Sequence, residues 1–160
     1  MKKIKWIFLV AIFLLAIVNL FLISSSNAEE FMNGNKNEID SASASTIETI
    51  SQFNEAFNKH DVDAIMNLMT DDCVFDNTRP APDGERIEGA EAVRKAWEEL
   101  FRRSPQAHFE TEEIFAAGNR AFVLWIYTWV KDGKKGHVRG VDIFKVKDGK
   151  VAEKLSYVKG

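Results

Sequence analysis

A chain of 160 residues with 21 Lys and Arg against 24 Asp and Glu carries a net charge of −3, which leaves no basic surplus for gripping nucleic acid. A single cysteine, Cys73, excludes an internal disulfide framework. The size suits one domain with a real core.

Lys2, Lys3 and Lys5 precede an apolar run from Trp6 to Ile23, and Ser26-Asn27-Ala28 supplies the small residues of a cleavage site. Residues 1–28 therefore read as an export signal cut after Ala28, which predicts a secreted or extracytoplasmic protein. The run is also close to the length of a membrane span, so an uncleaved anchor is the alternative. Without those three lysines, 18 basic residues face 24 acidic ones, a charge of −6. Residues 29–45 (EEFMNGNKNEIDSASAS) lack periodic hydrophobes and are expected to form a disordered linker.

The domain is expected to run over residues 46–160. Ile47, Ile50, Phe53 and Phe57 recur at helical spacing, ending near Asn58-Lys59-His60. Asp61 is placed to cap a second short helix carrying Val62, Ile65, Leu68 and Met69. A brief strand is predicted over Cys73 to Asp76, then a breaker-rich loop from Thr78 to Arg86. A third helix follows Gly89, with Val93, Trp97, Leu100 and Phe101 on one face. Beyond it come strands from His108 to Ala117, Ala121 to Val130, His137 to Lys147 and Val151 to Val158, separated by Gly-containing turns. Three helices followed by an antiparallel meander describe an α+β domain with the helices packed on one side of a curved sheet.

Asp142 is the informative residue. It falls in phase with Val138, Gly140, Phe144 and Val146, so its carboxyl group points to the inner face of a strand. A buried carboxyl group costs several kcal/mol unless something polar meets it. The strand before it places Val123, Trp125, Tyr127 and Trp129 on one face and Phe122, Leu124, Ile126 and Val130 on the other. Both faces then need cover, one as a cavity wall beneath the helices and the other as a subunit contact, which predicts a homodimer. The aromatic face is either ordinary core or the wall of a pocket for a small apolar molecule. Behind such a wall, burial favours the neutral acid, able to donate a hydrogen bond to a carbonyl oxygen. The sequence contains no HExxH, paired CxxC, GxSxG or GxGxxG, so neither a metal nor a cofactor is expected.

Arg139 to Lys154 (RGVDIFKVKDGKVAEK) and Phe53 to Phe75 (FNEAFNKHDVDAIMNLMTDDCVF) resemble the closing hairpin and the opening segment of SnoaL-like proteins, a branch of the nuclear transport factor 2-like superfamily that includes the ketosteroid isomerases. The resemblance implies a cone-shaped α+β barrel with a deep pocket, commonly dimeric. It also implies that Asp142 matches the strand carboxyl group that is the acid/base of SnoaL-like cyclases and the protonated oxyanion-hole acid of ketosteroid isomerases, the known case of a carboxyl group kept neutral by an apolar site. The isomerase tyrosine falls at Phe53 and its general base at Asn77, with Asp76 one residue earlier. The implied catalytic pair is Asp142 with Asp76. The implied ligand-binding set is Phe53, Asn77, Trp97, Trp125, Tyr127 and Trp129.

Two functions follow. One is an exported enzyme for acid/base isomerisation, cyclisation or hydration of an apolar carbonyl compound. The other is a non-catalytic module binding a small lipophilic ligand as a dimer.

Overall fold

The computed structural model describes residues 32–159. The expected leader therefore lies outside the described residues, as do residues 29–31 of the expected linker. Among the described residues no helix is long and apolar enough to cross a membrane. Residues 32–39 are helical, and the compact domain takes in Asp40–Gly160.

Within the domain the first helix, α1, covers residues 40–58. Residues 40–45 thus belong to a helix and not to the expected irregular spacer. The reason is tertiary: the backbone N–H of Gly118 donates to Ser43 Oγ at 2.8 Å, and Thr46 Oγ1 donates to the Gly118 carbonyl at 2.9 Å. Thr46 is buried, as are Ile50, Phe53 and Phe57 one turn apart along the same face. A strand turn far away in sequence pins this end of the helix, which composition alone does not reveal.

The turn after α1 closes at His60, whose φ of 55° puts it in the left-handed region, and Asp61 N–H closes back on the Ala56 carbonyl at 3.1 Å. Asp61 then caps α2 (Val62–Asn67), its carboxylate accepting from Ala64 N–H at 2.9 Å. Helix α3 (Ala90–Arg103) buries Val93, Trp97 and Phe101, four residues apart on one stripe.

Six strands make one curved, unclosed sheet: β1 (Met69–Asp76), β2 (Arg86–Glu88), β3 (His108–Ala117), β4 (Arg120–Lys131), β5 (Lys134–Lys147) and β6 (Lys150–Val158), in the order β2-β1-β6-β5-β4-β3. All neighbours are antiparallel except β1 and β6, which run parallel. The predicted loop after Asp76 leads into a strand that was not expected, Arg86–Glu88, which folds back on β1 as an edge strand. The first strand also begins earlier, at Met69, since β6 supplies it with a partner that local sequence cannot show. The core lies between the inner face of the sheet and the helices, with Phe53, Phe57, Trp97 and Phe144 among its largest buried side chains.

Candidate functional site

Strand register places the inner-face residues in rows. Phe144 of β5 pairs with Lys154 of β6, and Lys154 pairs with Phe75 of β1. One step along, Val123 pairs with Asp142, and Asp142 with Ser156. The next row sets Trp125 opposite Gly140. Paired residues share a sheet face, so Asp142, Lys154, Phe75, Phe144 and Trp125 all look inward.

At the centre, Lys154 Nζ lies 2.6 Å from Asp142 Oδ2 and donates to Ser156 Oγ at 2.7 Å. Both charged side chains are 3% exposed, which makes this pair unlike the other ion pairs of the described residues, all of them at least partly solvated. Four rings surround the ammonium, with centroids at 5.3 Å for Phe75, 5.6 Å for Phe144, 5.7 Å for Phe109 and 6.0 Å for Trp97. Their negative faces attract a cation at this range. Loss of water nonetheless dominates: burial pushes the Lys154 amine below its ordinary value of 10.5, against the opposing pull of the Asp142 charge and hydrogen bond.

The expectation that Asp142 would stand alone in an apolar wall is corrected here. Lys154 supplies a counter-charge, so burial of the carboxyl group does not by itself call for a neutral acid. Its second oxygen, Oδ1, is buried without a hydrogen-bond partner among the described residues, as are the indole Nε1 atoms of Trp97 and Trp125. The three belong to one neighbourhood: Trp97 is a ring of the lysine's cage, and Trp125 meets the cage ring of Phe109 at 4.9 Å. A buried donor or acceptor left unpaired costs about 1–3 kcal/mol, so these three atoms mark where a hydrogen-bonding group in the interior would be stabilised.

The remaining expected site residues divide. Phe53 and Trp97 are buried in ring-to-edge contact at 6.0 Å, and Trp97 stacks on Phe75 at 4.4 Å. Tyr127 and Trp129 are partly buried and stack at 5.6 Å, extending the aromatic surface from Phe109 along β4. Asn77 follows β1 in inner-face phase, and its side-chain carbonyl accepts from Thr78 N–H at 2.8 Å. Gly84, at φ +80°, lies so close to the Asn77 carbonyl that any Cβ would collide with it, which holds the loop shut behind Asn77.

Asp76 is not brought to Asp142. It alternates with inward Phe75, pairs in register with Leu155, and faces Arg86 across 3.4 Å on the outer surface. No bulge at the end of β1 rotates it inward, and the expected carboxylate pair is therefore not formed.

Lys154 is the buried charged residue of this site that sequence reasoning passed over. Alternation from buried Val151 would send Glu153 inward and Lys154 outward. A bulge shifts the β5 and β6 register between Lys145 and Val146, with Val146 opposite Val151 but Lys145 opposite Glu153, and the phase reverses. Cys73 is buried, and desolvation raises its thiol, which suits a packing role. Among the described residues no group of three or more His, Cys, Asp and Glu side chains is placed to hold a metal ion.

The SnoaL-like domain family matches residues 50–154, from the second half of α1 to the middle of β6, and takes in both members of the buried ion pair. The chain belongs to this family. Among solved structures, an NTF2-like protein of unknown function from Mesorhizobium loti is 42% identical, with 74% of this chain and 93% of that one aligned at a TM-score of 0.64. A candidate SnoaL-like polyketide cyclase from Jannaschia sp. is 19% identical over 73% of this chain and 87% of its own, also at 0.64. A candidate ketosteroid isomerase from Kribbella flavida is 17% identical over 74% and 80%, again at 0.64. The first likeness gives the NTF2-like fold of this SnoaL-like domain, and the last two show a shared fold alone. No curated protein matches the chain.

Proposed function

We propose that this SnoaL-like protein is exported and, as a homodimer, takes a small apolar carbonyl compound into its aromatic interior for acid/base isomerisation, cyclisation or hydration at Asp142. One observation carries the reading: a carboxylate on the inner face of the sheet, 2% exposed, keeps one oxygen free of partners among the described residues, and the buried indole N–H groups of Trp97 and Trp125 in the same interior are unpartnered too. That set offers an acceptor for a substrate proton and donors for a carbonyl oxygen, while the surrounding rings supply apolar contact. Export rests on the leader composition of residues 1–28, and membrane anchoring is the outcome if that leader is kept.

A binding module for a lipophilic ligand is the second reading. It is favoured by the outward position of Asp76 and by Phe53, which offers no hydroxyl where a donor would help. Asp142→Asn separates the two. Under the enzyme reading, wild-type protein turns over members of a panel of cyclic enones and ketones, and Asp142→Asn loses about 100-fold or more while still binding them. Binding of the panel with no turnover by wild type gives the protein to the module reading. Absence of both overturns the proposed pocket.

A further inference from the structure

Among the described residues Lys154 is the one charged side chain in the core that the proposed reaction does not use, and its surroundings suit a reactive amine. We infer that Lys154 forms a covalent iminium with the carbonyl group of the ligand, with Asp142 moving the protons. The inference rests on the reading of the interior as a site for apolar carbonyl compounds and names the class more narrowly, as aldehydes and ketones free to condense with an amine.

The geometry supplies each part. Nζ is 2.6 Å from the carboxylate that can take its proton and 2.7 Å from Ser156 Oγ, which orients it. Four rings exclude water, the condition under which a lysine becomes a nucleophile and an imine escapes hydrolysis. The unpartnered Asp142 Oδ1 can hold a proton without breaking the Oδ2 contact.

The Lys154 ammonium gives one proton to Asp142, and the neutral amine attacks the carbonyl carbon, forming the C–N bond as the C=O π pair moves to oxygen. A proton passes from nitrogen to that oxygen, giving a carbinolamine. Asp142 returns its proton to the hydroxyl, which leaves as water while the nitrogen lone pair closes the C=N bond. An ammonium and a carbonyl have become an iminium and water, with no oxidant or reductant consumed. The product keeps a positive nitrogen opposite a restored Asp142 carboxylate, so the buried pair survives the reaction. The iminium also draws electrons from the adjacent carbon. Loss of a proton there then needs neither an oxyanion tyrosine nor a second carboxylate, and Phe53 and the outward Asp76 cease to be obstacles.

The test uses the full chain with cinnamaldehyde and cyclohex-2-enone, trapped by sodium cyanoborohydride and mapped by peptide mass. At pH 7 Lys154 is expected to be alkylated faster than exposed Lys134, Lys135 or Lys150, because burial disfavours its charged form and leaves more of it as the free amine. Lys154→Arg should lose that adduct alone, and Asp142→Asn should form it more slowly. The wild-type map decides the matter even if a variant fails to fold. Adducts confined to surface lysines, while the same compounds without reductant quench tryptophan fluorescence, overturn the iminium and leave the pocket reading standing. No quenching and no Lys154 adduct overturn both.

Discussion

Lys154 and Asp142 hold each other in a setting neither would tolerate alone. Removing either charge from water costs several kcal/mol, and their attraction across 2.6 Å offsets that only while both are present. Asp142→Asn and Lys154→Met should therefore each destabilise by about 3–5 kcal/mol in urea unfolding, whereas Asp142→Leu with Lys154→Met should cost far less than the sum. Equal additivity of single and double variants would contradict a coupled pair. The pH dependence has a definite sign. Burial lowers the folded-state lysine below 10.5, so between that lowered value and 10.5 the unfolded chain binds more protons. Stability contributed by this group must rise with pH across that window, and Lys154→Met should flatten the rise. A fall over the same window, absent from Lys154→Met, would contradict a lysine destabilised in its charged form.

Strands β4, β5 and β6 build the site through two departures from regular pairing. The first is the bulge that turns Lys154 inward, which explains why Asp142 was legible in the sequence and its partner was not. On β5 the period of two holds from Val138 to Val146, so Asp142 could be placed by counting. On β6 the count fails at the bulge, a feature set by pairing with β5 rather than by composition. The second is the glycine opposite each tryptophan of β4. A Cβ on Gly140 would lie 2.3 Å from the Trp125 ring and 2.2 Å from the Tyr157 carbonyl, so the indole lies flat across that residue. Gly136 accommodates Trp129 in the same way, at 2.7 Å. Gly140→Ala should destabilise by about 1–3 kcal/mol and shift Trp125 fluorescence, because backbone blocks one side and a buried ring the other. Gly136→Ala should cost less, since Trp129 is only partly buried and can swing away. Equal, negligible losses at both positions would remove the glycine argument.

For the whole molecule the outer face of the sheet matters most. Phe115 and Phe122 pair in register, and Leu124 lies in line with Val141 and Tyr157. Phe115 is 57% exposed, Tyr157 52%, Leu124 43% and Phe122 40%, a concentration of apolar surface that isolated monomers rarely carry. A second copy of the chain is the occupant proposed above, through a self-complementary two-fold contact. Phe122→Glu with Leu124→Lys should then convert a dimer to a folded monomer in sedimentation. A wild-type protein that sediments as a monomer at all accessible concentrations would rule the homodimer out.

Local pattern was enough to determine Ile50, Phe53 and Phe57 as the buried face of α1, though not that Thr46 joins it while Ile47 is exposed, and it also determined the stripe of α3, the strand periods of β4 and β5, the inward aspect of Asp142 and the SnoaL-like likeness, because each depends on spacing within one segment. Tertiary structure alone decided that residues 40–45 join the first helix, that β1 runs parallel to β6, that no bulge at the end of β1 turns Asp76 inward and that Lys154 meets Asp142. Those outcomes depend on hydrogen bonds and register between segments far apart in the chain, where a one-residue slip exchanges the two faces of a strand and decides which charge is buried.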